Sequence, residues 1–588
     1  MLHTIRENWK RHIRSVLLQL AEKKSISIPD DVLDSLPVET PPDPSIGDLA
    51  FPMFSFARVL KTSPQGIAQD VVNLLEAQGG GKDLLAASGP YVNITLNAET
   101  LAERVVQTIL QTGSAFGATT AREGEKIMIE FSCPNTNKPL HLGHLRNDIL
   151  GESLSRILKA NGAEVRKVNL INDRGIHICK SMLAYQRFGD ATDPESEGIK
   201  SDHFVGKYYV RYNEWAKSDP AAEEAAREML RQWERGDKEV VALWEKMNCW
   251  ALEGIRKTYE STGISFDRIY FESETYKTGK DEILKGLQSG VFYRDQEGTV
   301  WVDLEDVDLD KKVLLRGDGT SLYLTQDVGT AIQRHTDWPF DTCIYVVGSE
   351  QQYHFKVLFR VLSLLGKEWA ENLHHLSYGM VNLPEGKMKS REGKVVDADD
   401  LVKDLVDMAV KEIQQKGRED DVQDLEETAA QVALGALHYY LLQVSPSKDM
   451  IFNPAESISF NGNTGPYLQY MGARISSMER KYNLMTAESF QGSFQGSLLK
   501  LEEERTLMKT LAEFPEAVEK AGRELNPSVL TAYLYRLSKV YSKYYHDYPV
   551  LRNDDPHLVA SRMFLALAVR QVLRNAFYLT GIPFLETM

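Results

Sequence analysis

The most chemically informative stretch of the sequence is a short loop that carries two histidines and a glycine. It runs from Pro134 to His144 and reads Pro-Asn-Thr-Asn-Lys-Pro-Leu-His-Leu-Gly-His. The imidazoles of His141 and His144 can donate hydrogen bonds to phosphoryl oxygens as negative charge develops on them. Gly143 has no side chain, so a flat base or a ribose can lie against its backbone. The composition suits a nucleotide phosphate site, although a bare His-x-Gly-His string is more often an ordinary surface loop.

The elements around this loop decide between the two interpretations. Residues 127–131 form a short apolar segment typical of a buried strand, and residues 144–160 have the period of a helix, which Asn161-Gly162 ends. Residues 165–171 predict the next strand, which completes the βαβ unit of a parallel sheet. In such sheets ligands bind beyond the carboxyl ends of the strands, where a helix N-terminus offers N–H groups to a phosphate. The loop therefore occupies a position where a nucleotide is expected to bind.

The rest of the chain indicates several domains. Residues 343–347 and the helical stretch after Gly348 repeat the strand–turn–helix pattern, and the polar stretch at roughly 190–270 indicates a helical insertion between the two copies. An alternating segment at 91–96 predicts a strand near the N-terminus. These patterns predict an α/β multidomain protein with an N-terminal α+β domain at 1–120, a parallel-sheet domain at 121–425 and an α-helical bundle at 426–588.

A basic loop flanked by glycines lies further along the chain, after a strand-like segment at 376–381. It reads Gly386-Lys-Met-Lys-Ser-Arg-Glu-Gly393. Alone, such a loop is typical of a solvated turn. Together with His141-Leu-Gly-His144, and in this order, it resembles the second of the two signature motifs of class I aminoacyl-tRNA synthetases, "HIGH" and "KMSKS". The resemblance implies a Rossmann-type catalytic domain that adenylates an amino acid with ATP.

The basic loop departs from the family motif at one position. The fourth residue of KMSKS is lysine in the family, whereas this sequence has Ser390 there and Lys389 before it. Many arginyl-tRNA synthetases show a similar loss and carry a lysine three residues before the first motif histidine, the position of Lys138 here. A triphosphate leaving group needs a cation within reach, whatever its origin. The resemblance thus implies a catalytic set of His141, His144, Lys138 and Lys387, and ATP contacts from Gly143, Met380, Val381, Lys389, Ser390 and Arg391.

Specificity for arginine needs acidic groups, because a planar guanidinium pairs with carboxylates through parallel hydrogen bonds. The arginyl family places a carboxylate at the end of the first strand, where this sequence has Glu130. It also has a tyrosine and an aspartate four residues apart, which Tyr323 and Asp327 match, and on a helix this spacing puts both on one face. The resemblance implies further contacts to arginine from Gln351 after the later strand, and from Ser132 and Asn135 at the α-amino end.

Both ends of the chain resemble the same family. Residues 46–52 resemble its N-terminal added domain, which contacts the outer corner of tRNA, and residues 460–470 resemble the opening of its anticodon-binding helical domain. Residues 533–551 interleave aromatic and cationic side chains, which suits unstacked bases and their phosphates, although a tyrosine-rich helical core fits equally well. The expected tRNA contacts are Tyr535, Arg536, Lys539, Lys543 and Tyr545.

Composition narrows the remaining choices. The four cysteines form no C-x-x-C pair, which argues against a disulfide framework or a zinc site and indicates a reducing, cytoplasmic location. No apolar run approaches the roughly 18 residues of a membrane span. The net charge of −16 does not exclude tRNA, because phosphates respond to the local field of a patch. We expect a monomer without a dedicated metal site, with Mg²⁺ arriving bound to ATP.

The resemblance implies activation of L-arginine by ATP to arginyl-adenylate, followed by transfer to the 3′ end of tRNA(Arg). The family usually requires bound tRNA even for the first step. Three alternatives remain: a class I synthetase for another amino acid, a small nucleotidyltransferase of the pantothenate-synthetase kind, and a synthetase-like RNA-binding protein without catalysis. The absence of clustered Cys/His ligands weighs against the cysteine-specific synthetases. The chain length and the helical C-terminal domain weigh against the second alternative. The presence of His141, His144, Lys387 and the acidic pocket residues weighs against the third.

Overall fold

The computed structural model describes residues 2–43, 46–79, 82–320, 322–384, 396–417, 422, 424–486 and 493–588. The chain divides into two compact units. The sheet unit comprises Ala118–Tyr470, Val518–Ala532 and Phe577–Met588, and the terminal unit comprises Met1–Gly117, Met471–Ala517 and Tyr533–Ala576. The division into three domains at residues 120 and 425 stays a prediction. Among the described residues, no helix is both long and apolar enough to cross a membrane.

The strands and helices are numbered in chain order. The strands are β1 (Leu49–Pro52), β2 (Leu84–Ser88), β3 (Tyr91–Thr95), β4 (Lys126–Glu130), β5 (Glu164–Ile171), β6 (Arg268–Phe271), β7 (Tyr293–Arg294), β8 (Val300–Val302), β9 (Lys312–Leu315), β10 (Thr342–Gly348), β11 (Leu373–Tyr378), β12 (Val381–Asn382) and β13 (Met450–Ile451). The helices are α1 (Leu2–Lys23), α2 (Asp30–Asp34), α3 (Phe54–Leu60), α4 (Pro64–Ala77), α5 (Ala98–Thr112), α6 (Leu142–Ala160), α7 (Ile176–Phe188), α8 (Pro194–Glu197), α9 (Ser201–Ser218), α10 (Ala221–Glu234), α11 (Lys238–Thr262), α12 (Glu272–Gln288), α13 (Tyr323–Asp337), α14 (Gln352–Leu364), α15 (Ala398–Gln415), α16 (Leu425–Leu442), α17 (Pro454–Ser457), α18 (Gly465–Thr486), α19 (Glu502–Ala512), α20 (Phe514–Arg523), α21 (Ser528–Asp547) and α22 (Pro556–Thr580).

The sheet unit is built on a five-stranded parallel sheet in the order β11-β10-β4-β5-β6. β4, α6 and β5 form the βαβ unit that the sequence predicts, so the predicted fold class is confirmed. From β4 the sheet continues through β5 and β6 on one side, whereas β10 and β11 extend it on the other. Ligands of open α/β sheets bind in the crevice beyond the strand ends where the order reverses in this way. Here that crevice lies beyond the carboxyl ends of β4 and β10.

Helix α6 is held tightly against the end of β4. It is buried on almost every side, and even Arg146, Asn147 and Asp148 are inaccessible to solvent or nearly so. Gly151 permits the close approach, because a Cβ there would lie 2.2 Å from Cγ of Phe131. The helix N-terminus, which carries the His-Leu-Gly-His loop, is therefore fixed in place relative to the sheet.

The strand-like segment at 376–381 is interrupted in the structure. β11 ends at Tyr378, and β12 begins at Val381 and pairs with β13 instead. Gly379 allows the break: its N–H donates to Pro446 O at 2.9 Å, and a Cβ there would lie 2.4 Å from the carbonyl carbon of Lys448. The crossing chain comes from a distant part of the sequence, so the apolar pattern alone did not reveal it.

The stretch at 190–270 is largely helical, as predicted, and forms α8 to α11. Its core contains Phe204 and Tyr208, which pack edge to face at 5.2 Å and both contact Tyr185 of α7. The last residues of the stretch form β6, the edge strand of the sheet. The helical insertion therefore ends before 270, and the chain returns directly to the sheet.

The terminal unit combines sequence from both ends of the chain. Its antiparallel sheet has the order β1-β3-β2. Asp48, which is 8% exposed, accepts the N–H of Leu96 at 2.7 Å and forms ion pairs with Arg505 and Lys509 of α19. A buried carboxylate is retained at low cost only when it is paired and hydrogen-bonded in this way. The pairs join the N-terminal sheet to a C-terminal helix within this unit.

Candidate active site

The side chains of the two motif histidines cap the N-terminus of α6 by accepting hydrogen bonds from backbone N–H groups at its start. The Gly143 N–H donates to Nδ1 of His141, and the His141 N–H donates to Nδ1 of His144, both at 3.1 Å. The ring centroids lie 3.8 Å apart. Because each Nδ1 accepts a hydrogen bond, a neutral ring must carry its proton on Nε2. Each histidine therefore retains one N–H donor for another acceptor.

Both histidines are neutral at pH 7. Burial, together with the charge of Lys138, lowers the pKa of His141 to about 4. Burial and the neighbouring His141 hold the pKa of His144 well below its ordinary value. Lys138 is itself partly buried, and this burial lowers its pKa as well. The pair consequently offers neutral hydrogen-bond donors, and positive charge at this end of α6 comes from Lys138.

The predicted residues of the basic loop, Lys387, Lys389, Ser390 and Arg391, lie outside the described residues. The chain on the C-terminal side of the loop is anchored to the first motif, and the chain on the N-terminal side is anchored to β13. On the C-terminal side, Leu142 N–H donates to Val396 O at 3.1 Å and Ala398 N–H donates to Leu140 O at 3.0 Å. On the N-terminal side, Met450 N–H donates to Met380 O at 2.9 Å.

Arg146 of α6 completes the anchor on the N-terminal side. Its Nη2 donates to Pro446 O at 3.0 Å and to Lys448 O at 2.8 Å, which fixes the segment leading into β13. Since β13 pairs with β12, the predicted ATP contacts Met380 and Val381 are held by the same helix as the histidines. Met380 is exposed, whereas the Val381 side chain is buried in the core, so a ligand at Val381 would meet its backbone.

The turn after β4 has an uncommon backbone. Ser132 and Cys133 have φ values of 75° and 49°, in the left-handed region that side chains with a Cβ rarely adopt. The Ser132 N–H donates to Oδ1 of Asn147 at 2.7 Å, and the Cys133 N–H donates to Oδ1 of Asn169 at 3.1 Å. The Ser132 hydroxyl shares a hydrogen bond of 2.6 Å with Tyr259. Buried side chains thus hold Ser132 at the edge of the crevice.

Asn135 follows this turn and lies beside the next strand. It forms an isolated parallel bridge with Asn172, just beyond the end of β5. The Asn172 N–H donates to Pro134 O at 3.0 Å, and its side-chain amide donates to Cys133 O at 3.1 Å. The two residues predicted at the α-amino end of arginine are therefore both positioned by the carboxyl ends of β4 and β5.

Glu130 ends β4 and forms an ion pair with Arg334 of α13. The two residues are 5% and 1% exposed. The guanidinium of Arg334 also lies 5.3 Å from the ring centre of Tyr270 and 5.9 Å from that of Tyr345. Burial raises the pKa of Glu130, and the charge of Arg334 opposes the rise. The sequence assigned Glu130 to the substrate, and the structure also gives it a permanent internal partner.

Replacing Arg334 with methionine is expected to lower the free energy of unfolding by about 3–5 kcal/mol, because Glu130 would lose its partner inside the core. Urea unfolding followed by tryptophan fluorescence measures the loss. The double variant Glu130→Gln/Arg334→Met removes both charges and should recover most of it. An equal loss in the single and double variants would contradict this account of the pair.

Tyr323 and Asp327 lie one turn apart on the first half of α13, on the face that their spacing predicts. Tyr323 is 72% exposed. Asp327 accepts a hydrogen bond of 2.6 Å from Nε2 of His354 on α14. The charge of Asp327 adds to the raised pKa values of Glu130 and Glu272, so these carboxyl groups share one region of the site.

Two further residues, Gln351 and Glu272, lie at the same edge of the sheet. Gln351 is exposed in the turn that follows β10, three residues before His354. Glu272 follows β6 at the same edge of the sheet, and burial raises its pKa to about 7. The structure thus brings Glu130, Tyr323, Asp327 and Gln351 to the carboxyl edge of the sheet and adds Glu272 to them.

A separate acidic cluster lies between the helical insertion and α15. The ligand atoms of Asp202, His203 and Asp399 all lie within 4.8 Å of one another. The ammonium of Lys200 already lies 2.6 Å from Asp399 and 3.1 Å from Asp202. A cation of the chain itself therefore balances these carboxylates, and the donor set does not suit a metal ion.

Models of known protein families match this chain along nearly its whole length. The model of the class I (R) tRNA synthetase catalytic domain matches residues 105–454, the arginyl tRNA synthetase N-terminal domain matches 7–96, and the DALR anticodon-binding domain matches 468–588. The chain is 57% identical to an arginine–tRNA ligase of Treponema denticola, with 100% of both chains covered. The chain belongs to the arginyl-tRNA synthetase family.

Two further relatives support the placement in the arginyl-tRNA synthetase family. An arginine–tRNA ligase of Treponema pallidum is 52% identical and is covered to 99%, as is this chain. The structure of Thermus thermophilus arginyl-tRNA synthetase superposes with a TM-score of 0.78 at 28% identity, covering 98% of this chain and 100% of that one. The family that the sequence motifs indicated is confirmed.

The five residues predicted to contact tRNA lie on α21. Arg536, Lys539 and Lys543 are exposed, and Arg536 pairs with Glu513. Tyr535 is half-buried, and the ring of Tyr545 lies 5.1 Å from the guanidinium of Arg474. The neighbouring tyrosines of the same helix are core residues instead: Tyr533, Tyr541 and Tyr544 are buried.

Several residues that build the site escaped the sequence analysis. Asn147 follows the motif on α6 and could have been found from its helical spacing to His144. His354 could have been found from its position three residues after Gln351. Arg334, Asn169, Tyr259 and Glu272 carry no local signal, because only the fold brings them to the crevice.

Proposed function

We infer that this protein is an arginine–tRNA ligase. It activates L-arginine with ATP, transfers the arginine to the 3′ end of tRNA(Arg), and releases AMP and pyrophosphate. The full-length relationship to arginine–tRNA ligases carries this conclusion, since it spans the catalytic, N-terminal and anticodon-binding segments together. The histidine pair that caps α6 supports it with hydrogen-bond donors for phosphoryl oxygens, and the nearby crevice supports it with carboxylates for a guanidinium.

In the first step, a carboxylate oxygen of arginine attacks the α-phosphorus of ATP and the bond to pyrophosphate breaks. We assign the Nε2–H donors of His141 and His144 to the phosphoryl oxygens, because both Nδ1 atoms are already occupied. Lys138 and Lys387 neutralise the leaving pyrophosphate, assisted by Lys389 and Arg391. Mg²⁺ enters as part of the MgATP substrate. No protein nucleophile is needed, so positioning and electrostatic stabilisation account for the rate.

Arginine is recognised through its guanidinium. Asp327 offers a carboxylate beside Tyr323 at the crevice, and Glu130 adds a second carboxylate whose charge Arg334 balances. Lysine lacks the planar pair of donors that a carboxylate accepts in parallel, and citrulline lacks the charge. Either competitor would leave acceptors unpaired, which costs about 1–3 kcal/mol per charged group.

In the second step, the 2′-hydroxyl of the terminal ribose of tRNA attacks the carbonyl carbon of arginyl-adenylate. The ester forms and AMP leaves. We propose that the exposed cations of α21 follow the phosphates near the anticodon while its accessible tyrosines stack on bases. We further propose that the protein acts as a monomer in the cytoplasm, where its four free cysteines stay reduced.

A charging assay tests this function. Purified protein, ATP and bulk tRNA are incubated with labelled arginine, lysine or citrulline, and the acid-precipitable label is counted. Arginine alone is expected to become attached, with one AMP formed per ester. Attachment of lysine or of any other amino acid at a comparable rate would overturn the assignment.

A further inference from the structure

His354 forms a direct pair with the carboxylate that we assign to the substrate guanidinium. Its Nε2 lies 2.6 Å from Oδ2 of Asp327, a length typical of charge-assisted hydrogen bonds. The two residues come from different helices, α14 and α13, and their side chains are 30% and 34% exposed. The contact lies at the accessible edge of the site, so a ligand that reaches Asp327 also meets His354.

Asp327 dominates the electrostatic surroundings of His354. The hydrogen bond to Asp327 and its negative charge hold the pKa of His354 above its ordinary value, although burial acts in the opposite direction. On its own helix, His354 contacts the uncharged ring of Phe355. Beyond Asp327 lie Glu272, at the start of α12, and Glu130.

When His354 is protonated, this region has little excess negative charge with which to attract a cationic substrate. Glu130 is already paired with Arg334, and a protonated His354 balances Asp327 in the same manner. A guanidinium that arrives would then share one carboxylate with an imidazolium, and the two cations would repel each other. A neutral His354 avoids this conflict, because it still donates one Nε2–H bond and leaves the other lone pairs of the carboxylate open.

We propose that His354 determines the charge of the arginine pocket: its neutral form orients Asp327 by one hydrogen bond, and its protonated form opposes the substrate guanidinium. This inference rests on the proposed function, in which Asp327 binds arginine. Its consequence is that arginine binding is coupled to the release of a proton. Over the pH range in which His354 is protonated in the empty site, binding of each arginine expels one proton to the solvent, and arginine affinity falls as the pH decreases.

Titration calorimetry of full-length protein with L-arginine tests the proposal. The titrations are run between pH 5.5 and 8.5 in buffers of different ionisation enthalpy, with and without tRNA. For the unsubstituted protein, we expect release of up to one proton and a Kd that rises up to about tenfold per pH unit below the pKa of His354 in the empty site. His354→Gln keeps an N–H donor but cannot titrate, so it should lose the proton release and the pH dependence of Kd that His354 supplies, and only the part due to Glu272, whose pKa of about 7 lies in the same range, should remain. His374→Gln, an exposed histidine on β11, is the matched control and should retain both.

Turnover measurements separate this role from a merely structural one. In the unsubstituted protein, the pH dependence should appear in the KM for arginine during tRNA charging rather than in kcat, and it should be lost from the KM of His354→Gln, apart from the part due to Glu272. Unaltered proton release in His354→Gln would overturn the proposal. The absence of proton release from the unsubstituted protein would also overturn the proposal. This outcome requires no variant, so it decides the question even if His354→Gln and the second variant His354→Asn do not fold. Failure of the unsubstituted protein to bind arginine at any pH, even with tRNA, would instead refute the proposed function.

Discussion

Replacement of Asp327 by alanine is expected to reduce kcat/KM for arginine activation by roughly 100- to 1,000-fold, equivalent to about 3–4 kcal/mol. The guanidinium would lose its carboxylate partner, and His354 would lose the group that it orients. ATP–pyrophosphate exchange at varied arginine concentration, with tRNA present, measures the change. The fold should persist, because the Asp327 side chain is 34% exposed and its hydrogen bond to His354 lies at the accessible edge of the site.

Asp337→Ala provides the matched control for this prediction. It removes the same side chain from the same helix, at an exposed position near the C-terminal end of α13. We expect near-normal exchange from the control. Near-normal exchange from Asp327→Ala as well would remove the basis for assigning Asp327 to the substrate.

Replacement of His141 by asparagine is expected to lower kcat for adenylate formation by roughly 100- to 1,000-fold, the usual loss when one donor to a developing oxyanion is removed. Asparagine retains an acceptor for the Gly143 N–H and is a favourable N-cap residue, so α6 should stay capped. Single-turnover measurement of adenylate formation tests the rate. Urea unfolding should show a change in the free energy of unfolding of no more than about 0.5 kcal/mol.

His141→Ala separates the two roles of this side chain. It removes the cap as well as the donor, so it should lose a similar rate and also about 1 kcal/mol of stability. Equal stability of the alanine and asparagine variants would contradict the capping role. Retention of the rate in the asparagine variant would contradict the catalytic one.

The buried environment of His141 and His144 also predicts how kcat depends on pH. Burial and Lys138 lower the pKa of His141 to about 4, so the ring is already neutral above that value. With saturating substrates, kcat should show no transition attributable to this pair between pH 5.5 and 8. A loss of kcat as pH rises through 6 to 7, and its absence in His141→Asn, would indicate that an imidazolium is required instead.

The sequence revealed the central βαβ unit well, because local signals define it. The helix predicted at 144–160 is observed at Leu142–Ala160, and Asn161-Gly162 ends it as expected. The strand predicted at 165–171 is observed at Glu164–Ile171. In each case an apolar segment is bounded by residues with strong turn or cap preferences, and tertiary contacts did not override them.

The electrostatic partners of the site could not be predicted from the sequence. The family resemblance predicted Glu130 as a substrate contact at the end of the first strand, but its pairing with Arg334 depends on how the fold places α13 beside β4. Gly379 interrupts a strand only because residues 446–449 cross there. The joining of Asp48 to Arg505 likewise links distant parts of the chain. The sequence motifs predict which residues carry the chemistry, whereas the fold determines their charge and orientation.

ATP–pyrophosphate exchange with each of the twenty amino acids, in the presence and absence of tRNA, tests the account most directly. We predict exchange with arginine alone, and only when tRNA is bound. Exchange with a different amino acid, or none under any condition, would contradict the assignment of this chain as an arginine–tRNA ligase.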